Sequence, residues 1–419
     1  MRPFAKWIFY MWHRVEIQGI ENLEDLTKPQ ARLLFSGHQN ALADPIFGCV
    51  ALPMQMHYFT RADVFANPLA RALLLRLNMM PIFRPIDRAT EMVERNQDTF
   101  NSAHARLESG ACLGIFPEAG HLDERRIRRF KHGSARFILS ALGRKGIQDQ
   151  CLHVQPMALD FERYEGYRSL ARIRVGTALD LSSFGSNPED NGPNRIALSH
   201  QMRVGLLTIS VNLMEGPLYD PHLAICRFLE GHQGKAPSQE TLDRISQELI
   251  SESDHALSGF QTLIEAGMPH PRRAEAFAAL GRMHHQDPSA RQPSVLWRWP
   301  AWVVFMLTTG WWPRCVESWM AALIRDPAYR TTFGIPLALI GICTTWLVLA
   351  ATAAYALGNV LWVPVICLAF RVAQQLAMPY EDQRMDRIQE RQVQRFFAHP
   401  WIEKWCAQNV DNPKSSSKT

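Results

Sequence analysis

The sequence contains eight cysteines, but no two of them are spaced as Cys-x-x-Cys. Zinc ribbons and redox dithiols depend on such pairs, so the spacing argues against both kinds of site. Scattered single cysteines are typical of small buried hydrophobic residues in a reducing compartment. The sequence therefore predicts buried cysteines rather than a metal or redox centre.

We also expect no secretory signal, because residues 1–14 have neither an uninterrupted apolar core nor a small-residue cleavage site. Residues 3–14 instead combine aromatic side chains with sparse basic ones. This pattern fits a helix lying in the lipid headgroup region, and it equally fits a helix docked on the protein. We predict an interfacial N-terminal segment over residues 1–26.

Strong net charge is absent as well. The formal charge is +5, with 47% hydrophobic and 20% charged residues. Such a composition predicts a globular chain and argues against disorder. A mild positive charge suits anionic lipid or phosphorylated substrates, and it does not require nucleic acid, so we expect no nucleic-acid partner.

The longest stretch without a charged residue lies between Arg330 and Arg371. It covers about 40 residues, whereas a single transmembrane helix needs about 20 apolar residues. Basic residues flank this stretch on both sides, which favours a hairpin of two spans, at about 331–371, with both ends cytoplasmic. The turn is expected near residues 353–359. One tilted span followed by a half-helix, or a buried hairpin in a soluble core, are the alternatives.

Between residues 27 and 215, short apolar segments alternate with amphipathic ones. This alternation predicts an α/β fold with a mostly parallel sheet flanked by helices. Strands are expected at 32–36, 56–60, 79–83, 111–116 and 152–159, and an edge strand at 172–175. Sites in such sheets collect at the carboxyl ends of strands.

His38 and Asp44 follow the first of these predicted strands, within Phe35-Ser-Gly-His-Gln-Asn-Ala-Leu-Ala-Asp-Pro-Ile-Phe47. A carboxylate that orients an imidazole produces a base able to take a proton from an alcohol. A spacing of six positions in one regular helix would point the two side chains apart, so the pairing requires a turn between them. The alternative is a hydrogen-bonded histidine and a helix-capping aspartate.

Two further polar clusters follow predicted strands. Arg84 ends Met80-Pro-Ile-Phe-Arg84, where it would hold a phosphate in bidentate fashion or simply be a surface arginine. Phe116-Pro-Glu-Ala-Gly120 is a small-residue turn whose N–H groups can approach an anion. Glu118 would bind a substrate hydroxyl or fix neighbouring arginines. The basic run Arg125–Arg129 would gather a phosphate or anionic lipid, or form a solvated face.

Together, the His-x5-Asp block, the Pro-Ile-Phe-Arg block, the Phe-Pro-Glu-x-Gly block and a later strand with Pro156 resemble the glycerolipid acyltransferase family over about residues 15–180. This family includes glycerol-3-phosphate, dihydroxyacetone-phosphate and 1-acylglycerol-3-phosphate acyltransferases. The resemblance implies that His38 is the base and Asp44 its partner. It also implies that Arg84 and the block Phe116, Pro117, Glu118 and Gly120 bind the acceptor, and that Pro156 lies near the acyl donor.

The chain departs from the commoner family pattern in three places. Five residues separate His38 from Asp44 where four are usual, Ala119 stands where glycine is usual, and the Thr-Arg-Ser continuation is missing. The longer spacing, the segment Phe130–Arg136 and the segment Asp326-Pro-Ala-Tyr329 are similar to the branch with fungal glycerol-3-phosphate/dihydroxyacetone-phosphate acyltransferases and related bacterial proteins. These departures bear on the acceptor more than on the reaction type.

The resemblance predicts a membrane-bound O-acyltransferase that moves a fatty acyl group from acyl-coenzyme A or acyl carrier protein to glycerol 3-phosphate or dihydroxyacetone phosphate. No metal and no other cofactor would be needed. Lysophosphatidate is the alternative acceptor. A metal-dependent hydrolase using His38, Asp44, His121 and Asp123, and a non-catalytic lipid-binding membrane protein, are the hypotheses from other classes.

The predicted organisation has five parts. An acyltransferase domain spans residues 27–215, after the N-terminal segment, and a helical region follows at 216–296. A membrane-associated region covers 297–379, and a charged helix with a disordered tail covers 380–419. We expect the active site and both termini on the cytoplasmic side of the membrane. The sequence leaves the oligomeric state open.

Overall fold

The structure is a computed structural model that describes residues 2–23, 29–83, 92–122, 124–185, 188–233, 237–268, 273–283 and 295–409. The chain divides into two compact units. The first unit contains residues 1–164, 170–210 and 326–332. The second contains residues 165–169, 211–325 and 333–419.

The first unit is built on a seven-stranded sheet in the order β1-β7-β6-β2-β5-β3-β4. Every neighbouring pair is parallel except β6 and β7, which are antiparallel. The predicted α/β fold with a mostly parallel sheet is therefore confirmed. The strands are β1 (Arg14–Gln18), β2 (Arg32–Phe35), β3 (Met56–Arg61), β4 (Met79–Ile82), β5 (Cys112–Ile115), β6 (His153–Phe161) and β7 (Leu170–Val175).

The expectation that residues 172–175 form an edge strand is wrong. β7 lies between β1 and β6, and β1 is the edge strand on this side of the sheet. The two arginines of β7 are paired with carboxylates of neighbouring strands. Arg172 Nε lies 3.0 Å from Glu16 Oε2, and Asp160 Oδ2 lies 3.7 Å from both Arg172 and Arg174. Charge pairing thus allows a polar sequence to occupy an inner strand.

Helices cover the sheet on both faces. One face carries the larger core cluster, in which Leu33, Leu113 and Val154 of the strands pack with Phe137 and Met202 of the helices. The helices of this unit are α1 (Arg2–Trp12), α2 (Ala43–Ala51), α3 (Pro68–Arg76), α4 (Met92–Glu108), α5 (His132–Leu142), α6 (Lys145–Gln148) and α7 (Gly192–Leu207).

The amino-terminal helix α1 has two unlike halves. Phe9 and Trp12 are each 1% exposed, and the Phe9 ring stacks on Phe47 of α2 at 4.8 Å. Phe4, in the first turns, is 51% exposed. The carboxyl half is therefore docked on the first unit, and the interfacial role of residues 1–26 stays a prediction that concerns the amino half.

The second unit is helical. Helices α8 (Tyr219–Gln233) and α11 (Arg273–Met283) approach so closely that a Cβ on Gly281 would lie 1.9 Å from the Phe228 carbonyl oxygen, so only glycine fits there. The helices, of which α14 begins in the first unit, are α8 (Tyr219–Gln233), α9 (Gln239–Ser251), α10 (Ser253–Glu265), α11 (Arg273–Met283), α12 (Trp299–Phe305), α13 (Trp311–Leu323), α14 (Pro327–Ala356), α15 (Trp362–Val393) and α16 (Pro400–Asn409).

Two helices in the described part of the chain, at Tyr329–Ala356 and Trp362–Phe396, are long and apolar enough to cross a membrane. They follow each other with a short turn at 357–361, and Trp346 and Phe370 pack with ring centroids 6.2 Å apart. Their apolar stretches are mostly exposed, unlike those of a soluble core. This arrangement suggests membrane association and fits the predicted hairpin better than a span with a half-helix.

Stability should depend on pH through His222 of α8. Its side chain is fully buried, and burial lowers the pKa of His222 from 6.5 to about 4. Because the folded pKa lies below the unfolded one, the contribution to stability is complete above the unfolded pKa and is lost as pH falls towards 4. We expect the melting temperature in detergent to fall between pH 7 and pH 5, with a loss of at most about 2 kcal/mol from this residue.

The variant His222→Gln should show a smaller pH-dependent loss than the wild type, whatever its stability at pH 7. His200→Gln is the matched control, since His200 is exposed on α7. Differential scanning fluorimetry at both pH values compares the three proteins. Identical pH-dependent losses in all three would contradict the role of His222.

Candidate active site

His38 and Asp44 are brought together by the turn between β2 and α2. The His38 Nδ1 and Asp44 Oδ2 atoms lie 2.8 Å apart. The Ala43 N–H donates to the Asn40 carbonyl at 2.9 Å, and Ala41 has a positive φ of 37°. The chain thus reverses before α2 begins at Ala43, which supplies the turn that the spacing requires.

Asp44 is fully buried, and one of its oxygens accepts three hydrogen bonds. Oδ2 accepts from the backbone N–H groups of Gln39 and Asn40, each at 2.8 Å, in addition to His38. Charge-assisted hydrogen bonds hold a carboxylate in a fixed position. Asp44 therefore draws the proton of His38 onto Nδ1 and leaves the Nε2 lone pair for a substrate.

His38 remains accessible on its other side. The side chain is 18% exposed, and Nε2 has no hydrogen-bond partner among the residues that the structure describes. The imidazole stacks on Phe116 at 4.2 Å, and Phe116 stacks on the buried Tyr58 at 5.5 Å. Two aromatic rings and a carboxylate therefore fix the plane of His38 while one nitrogen faces outwards.

Sheet topology brings the second block to the same place. Strands β2 and β5 are parallel neighbours with Phe35 opposite Ile115, so His38 and Phe116 both follow the same edge. The Leu122 N–H donates to the His38 carbonyl at 3.0 Å, which joins the two loops. The His38–Asp44 segment and the Phe116–Gly120 segment therefore lie side by side at the carboxyl ends of β2 and β5.

The Phe116–Gly120 turn is tightly closed. The Ala119 N–H donates to the Phe116 carbonyl at 3.1 Å, and the Lys131 N–H donates to the Pro117 carbonyl at 2.8 Å. Ala119 adopts a φ of 57°, in the left-handed region that favours glycine. The turn keeps its shape although alanine replaces the residue best suited to it. A Cβ on Gly120 would have Arg128 Nη2, at 3.9 Å, as its nearest contact among the described residues, so there is open space beside Gly120.

The side chain of Glu118, within this turn, is buried and forms a salt bridge with Arg128. Its Oε2 lies 3.0 Å from Arg128 Nε, and its Oε1 accepts from the Arg128 N–H at 3.3 Å. Arg128 also donates to the Gly120 carbonyl. Burial raises the pKa of Glu118, and the nearby Arg128 and His38 oppose that rise. These contacts favour the second interpretation of Glu118, in which it fixes a neighbouring arginine.

The basic run 125–129 does not form one surface. Arg125 is buried, with Nε 3.3 Å from Asp160 Oδ1 and its guanidinium 5.0 Å from the centre of the Tyr164 ring. Arg126 pairs with Glu124 at 3.2 Å, and Arg129 is exposed. Neither a single phosphate-binding patch nor a uniform solvated face describes the run. Arg128, 29% exposed and held by Glu118, is the member that lies at the site.

We expect Glu118→Gln to raise the acceptor KM about tenfold and to leave the donor KM within about twofold, because a neutral side chain holds Arg128 less firmly. Glu118→Ala should have a larger effect. Glu124→Gln is the matched control, since it removes the carboxylate partner of Arg126 in the same loop. Steady-state kinetics with each substrate varied in turn measure both constants, and an unchanged acceptor KM in Glu118→Gln would contradict the role.

Arg84 and Asp123 lie outside the described residues, so their predicted roles stay predictions. Pro156 lies in β6 opposite Phe35. In the described part of the chain, no three His, Cys, Asp or Glu side chains are grouped so that they would hold a metal ion. The hydrolase hypothesis would need Asp123 as one of its ligands.

The sequence analysis named His121 only as a ligand in the hydrolase hypothesis, and named Asp326 and Tyr329 only within a segment similar to one branch of the family. It did not predict that these three side chains lie together beside His38. The His121 ring lies 5.9 Å from that of His38. Asp326 and Tyr329, about two hundred residues later in the chain, both contact His121. The only signal in the sequence was the Asp326-Pro-Ala-Tyr329 segment, which has no spacing relation to His38.

Comparison with known proteins finds similarity in the amino-terminal part of the chain. Residues 14–160 match the family model described as "Acyltransferase". An uncharacterized protein of Mycobacterium bovis and two of Mycobacterium tuberculosis are 28% identical over 150 residues, which cover 35% of this chain and 38% of theirs. The match therefore spans less than half the length of these relatives.

Among solved structures, the crystal structure of the 1-acyl-sn-glycerophosphate acyltransferase PlsC from Thermotoga maritima is similar, with 13% identity and a TM-score of 0.36. The similarity covers 51% of this chain and 80% of that one. The predicted resemblance to an acyltransferase family is confirmed, and it rests on residues 14–160.

Proposed function

We propose that this chain, whose residues 14–160 match the family model described as "Acyltransferase", transfers a fatty acyl group from an acyl thioester to a hydroxyl of glycerol 3-phosphate or dihydroxyacetone phosphate at a membrane. The observation that carries the proposal is the His38 Nδ1–Asp44 Oδ2 contact of 2.8 Å, with Nε2 left open beside the Phe116–Gly120 turn. The reaction would be a step of phospholipid biosynthesis.

In the proposed reaction, His38 Nε2 takes the proton of the acceptor hydroxyl as its oxygen attacks the thioester carbonyl carbon. The buried Asp44 carboxylate stabilises the imidazolium that forms. The tetrahedral intermediate then collapses, the carbon–sulfur bond breaks, and the thiolate takes the proton from His38. Acylated acceptor and free thiol leave, so His38 returns to its starting state and no metal or other cofactor enters the balance.

The acceptor phosphate would be held next to this base. Arg128 is charged, partly exposed and fixed by Glu118, and its guanidinium donates to the Gly120 carbonyl. Arginine suits phosphate because its guanidinium donates two parallel hydrogen bonds. Arg84, from the neighbouring block, is assigned the same task by the family resemblance, together with the backbone of Phe116, Pro117 and Gly120.

A membrane location suits a reaction whose product carries an acyl chain. The helices at Tyr329–Ala356 and Trp362–Phe396 would anchor the chain in the bilayer. Arg325 precedes the first of them, Arg330 is in its first turn, and Arg384 and Arg387 lie towards the end of the second. By the positive-inside rule, both ends of the hairpin, both termini and the active site would face the cytoplasm.

The test uses protein purified in detergent, palmitoyl-coenzyme A or palmitoyl-acyl carrier protein, and a panel of glycerol 3-phosphate, dihydroxyacetone phosphate and lysophosphatidate. Thiol release and lipid product are followed together. Acylated glycerol 3-phosphate or dihydroxyacetone phosphate would support the proposal.

Product with lysophosphatidate alone would keep the reaction and replace the acceptor. Thiol release without an acylated acceptor would point to a thioester hydrolase. No turnover with either donor would favour a non-catalytic lipid-binding protein.

A further inference from the structure

The segment 326–332 belongs to the first unit although it is separated from the rest of that unit by more than a hundred residues. It includes the first turn of α14, which becomes the first candidate membrane-spanning helix. Two parts of the segment make contacts close to His38 and Asp44. Asp326 and Tyr329 make the first contact, and Thr331 makes the second. These contacts have no part in the function proposed so far.

The first contact is with His121. Its Nε2 lies 3.4 Å from Asp326 Oδ2, and the Tyr329 ring meets the His121 ring edge-on at 5.2 Å and 88°. His121 is 27% exposed, and its Nδ1 has no hydrogen-bond partner in the part of the chain that the structure describes. An imidazole fixed at one nitrogen by a carboxylate and at one face by an aromatic ring presents the other nitrogen in a defined direction.

His121 is also next to the base. The centres of the His38 and His121 rings lie 5.9 Å apart at an angle of 73°. One molecule of the size of a glycerol phosphate can contact both rings at this distance. His121 is therefore placed to bind the acceptor while His38 takes its proton.

The second contact is with the turn that holds Asp44. The Thr331 hydroxyl donates to the Tyr164 carbonyl at 2.6 Å, and the same carbonyl accepts from the Asn40 side-chain amide at 3.2 Å. The Asn40 backbone N–H in turn donates to Asp44 Oδ2. Thr331 and Asn40 are 1% and 0% exposed, so these hydrogen bonds are shielded from water.

We propose that the segment 326–332 completes the active site: Asp326 and Tyr329 position His121 against the acceptor, and Thr331 supports the Asp44 turn. This inference rests on the proposed acyl transfer. The two contacts predict different kinetic effects, because the first concerns acceptor binding and the second concerns the orientation of the base.

The positioning of His121 by Asp326 and Tyr329 is tested with Asp326→Asn, Tyr329→Ala and Tyr329→Phe in the full chain. Asp326→Asn and Tyr329→Ala should raise the acceptor KM about fivefold to tenfold and leave the donor KM unchanged, as expected when a group that touches only one substrate is displaced. Tyr329→Phe keeps the ring and should behave like the wild type. Asp190→Asn, which loses the exposed pairing with Arg195, is the matched control.

The support of the Asp44 turn by Thr331 is tested with Thr331→Val, which keeps the shape of the side chain and removes its hydroxyl. It should lower kcat about threefold to tenfold with little change in either KM, because a lost buried hydrogen bond loosens the Asn40–Asp44 turn. Melting temperatures of all variants are measured alongside the kinetics.

Wild-type acceptor KM values in Asp326→Asn and Tyr329→Ala would overturn the inference and leave the proposed function intact. A uniform fall of all constants together with the melting temperature would also overturn it, since the segment would then only stabilise the fold. A wild-type protein that acylates no acceptor would overturn the proposed function itself, and the inference would fall with it.

Discussion

Purified His38→Ala protein should transfer acyl groups at least about 10²-fold and up to about 10⁴-fold more slowly than the wild type, the range expected for a lost general base. The reason lies in the geometry of one side chain. Nε2 of His38 faces outwards, Nδ1 is held 2.8 Å from Asp44 Oδ2, and Phe116 fixes the ring plane. Without the ring, the acceptor hydroxyl would have to attack while still protonated.

Because Asp44 keeps the Gln39 and Asn40 N–H groups as hydrogen-bond donors when the imidazole is removed, the variant should remain folded. Its melting temperature should lie within a few degrees of the wild-type value, and its binding of a non-reactive acyl thioester analogue should be retained. His200→Ala, an exposed histidine on α7, controls for loss of an imidazole as such. His38→Ala protein that keeps more than a tenth of wild-type kcat would contradict the assignment of the base.

Much of this site follows from local sequence. The apolar segment before His38, the proline after Asp44 and the parallel neighbourhood of β2 and β5 bring His38 and Phe116 together by rules of sheet topology. The pairing of His38 with Asp44 needed only a reversal over four residues. Short-range chemistry and strand order therefore suffice to predict the pair and the turn beside it.

The remaining features depend on contacts that no local pattern encodes. Asp326 reaches His121 only after the chain has passed through another compact unit. The arginine run illustrates the same limit. Arg125, Arg126 and Arg128 are close in sequence, yet each has a different acidic partner. Which charge is buried and which is left for a substrate is decided by tertiary packing, so composition alone cannot show it.

The second large effect concerns Asp44, and here two substitutions should differ. Asp44→Ala should lower kcat by about 10³-fold, because His38 loses its orienting acceptor and two buried N–H groups lose theirs. Asp44→Asn should lower kcat by only about 10-fold to 10²-fold. Detergent-purified variants with matched melting temperatures allow this comparison at saturating donor and acceptor.

The difference follows from how the two carboxylate oxygens are used. Oδ2 accepts from three donors, namely His38 Nδ1 and the N–H groups of Gln39 and Asn40. Oδ1 is buried and has no hydrogen-bond partner among the described residues. An asparagine must therefore place its amide oxygen at the Oδ2 position, since its NH₂ group there would face three other donors.

In that orientation the proton of His38 stays on Nδ1, and the base keeps its tautomer. What is lost is the negative charge that stabilises the imidazolium, together with about 1–3 kcal/mol of stability for an NH₂ group buried without an acceptor. Equal losses of kcat in Asp44→Asn and Asp44→Ala would contradict this account. They would mean that the amide nitrogen faces His38, which is possible only if Gln39 and Asn40 do not hold the side chain as their 2.8 Å hydrogen bonds indicate.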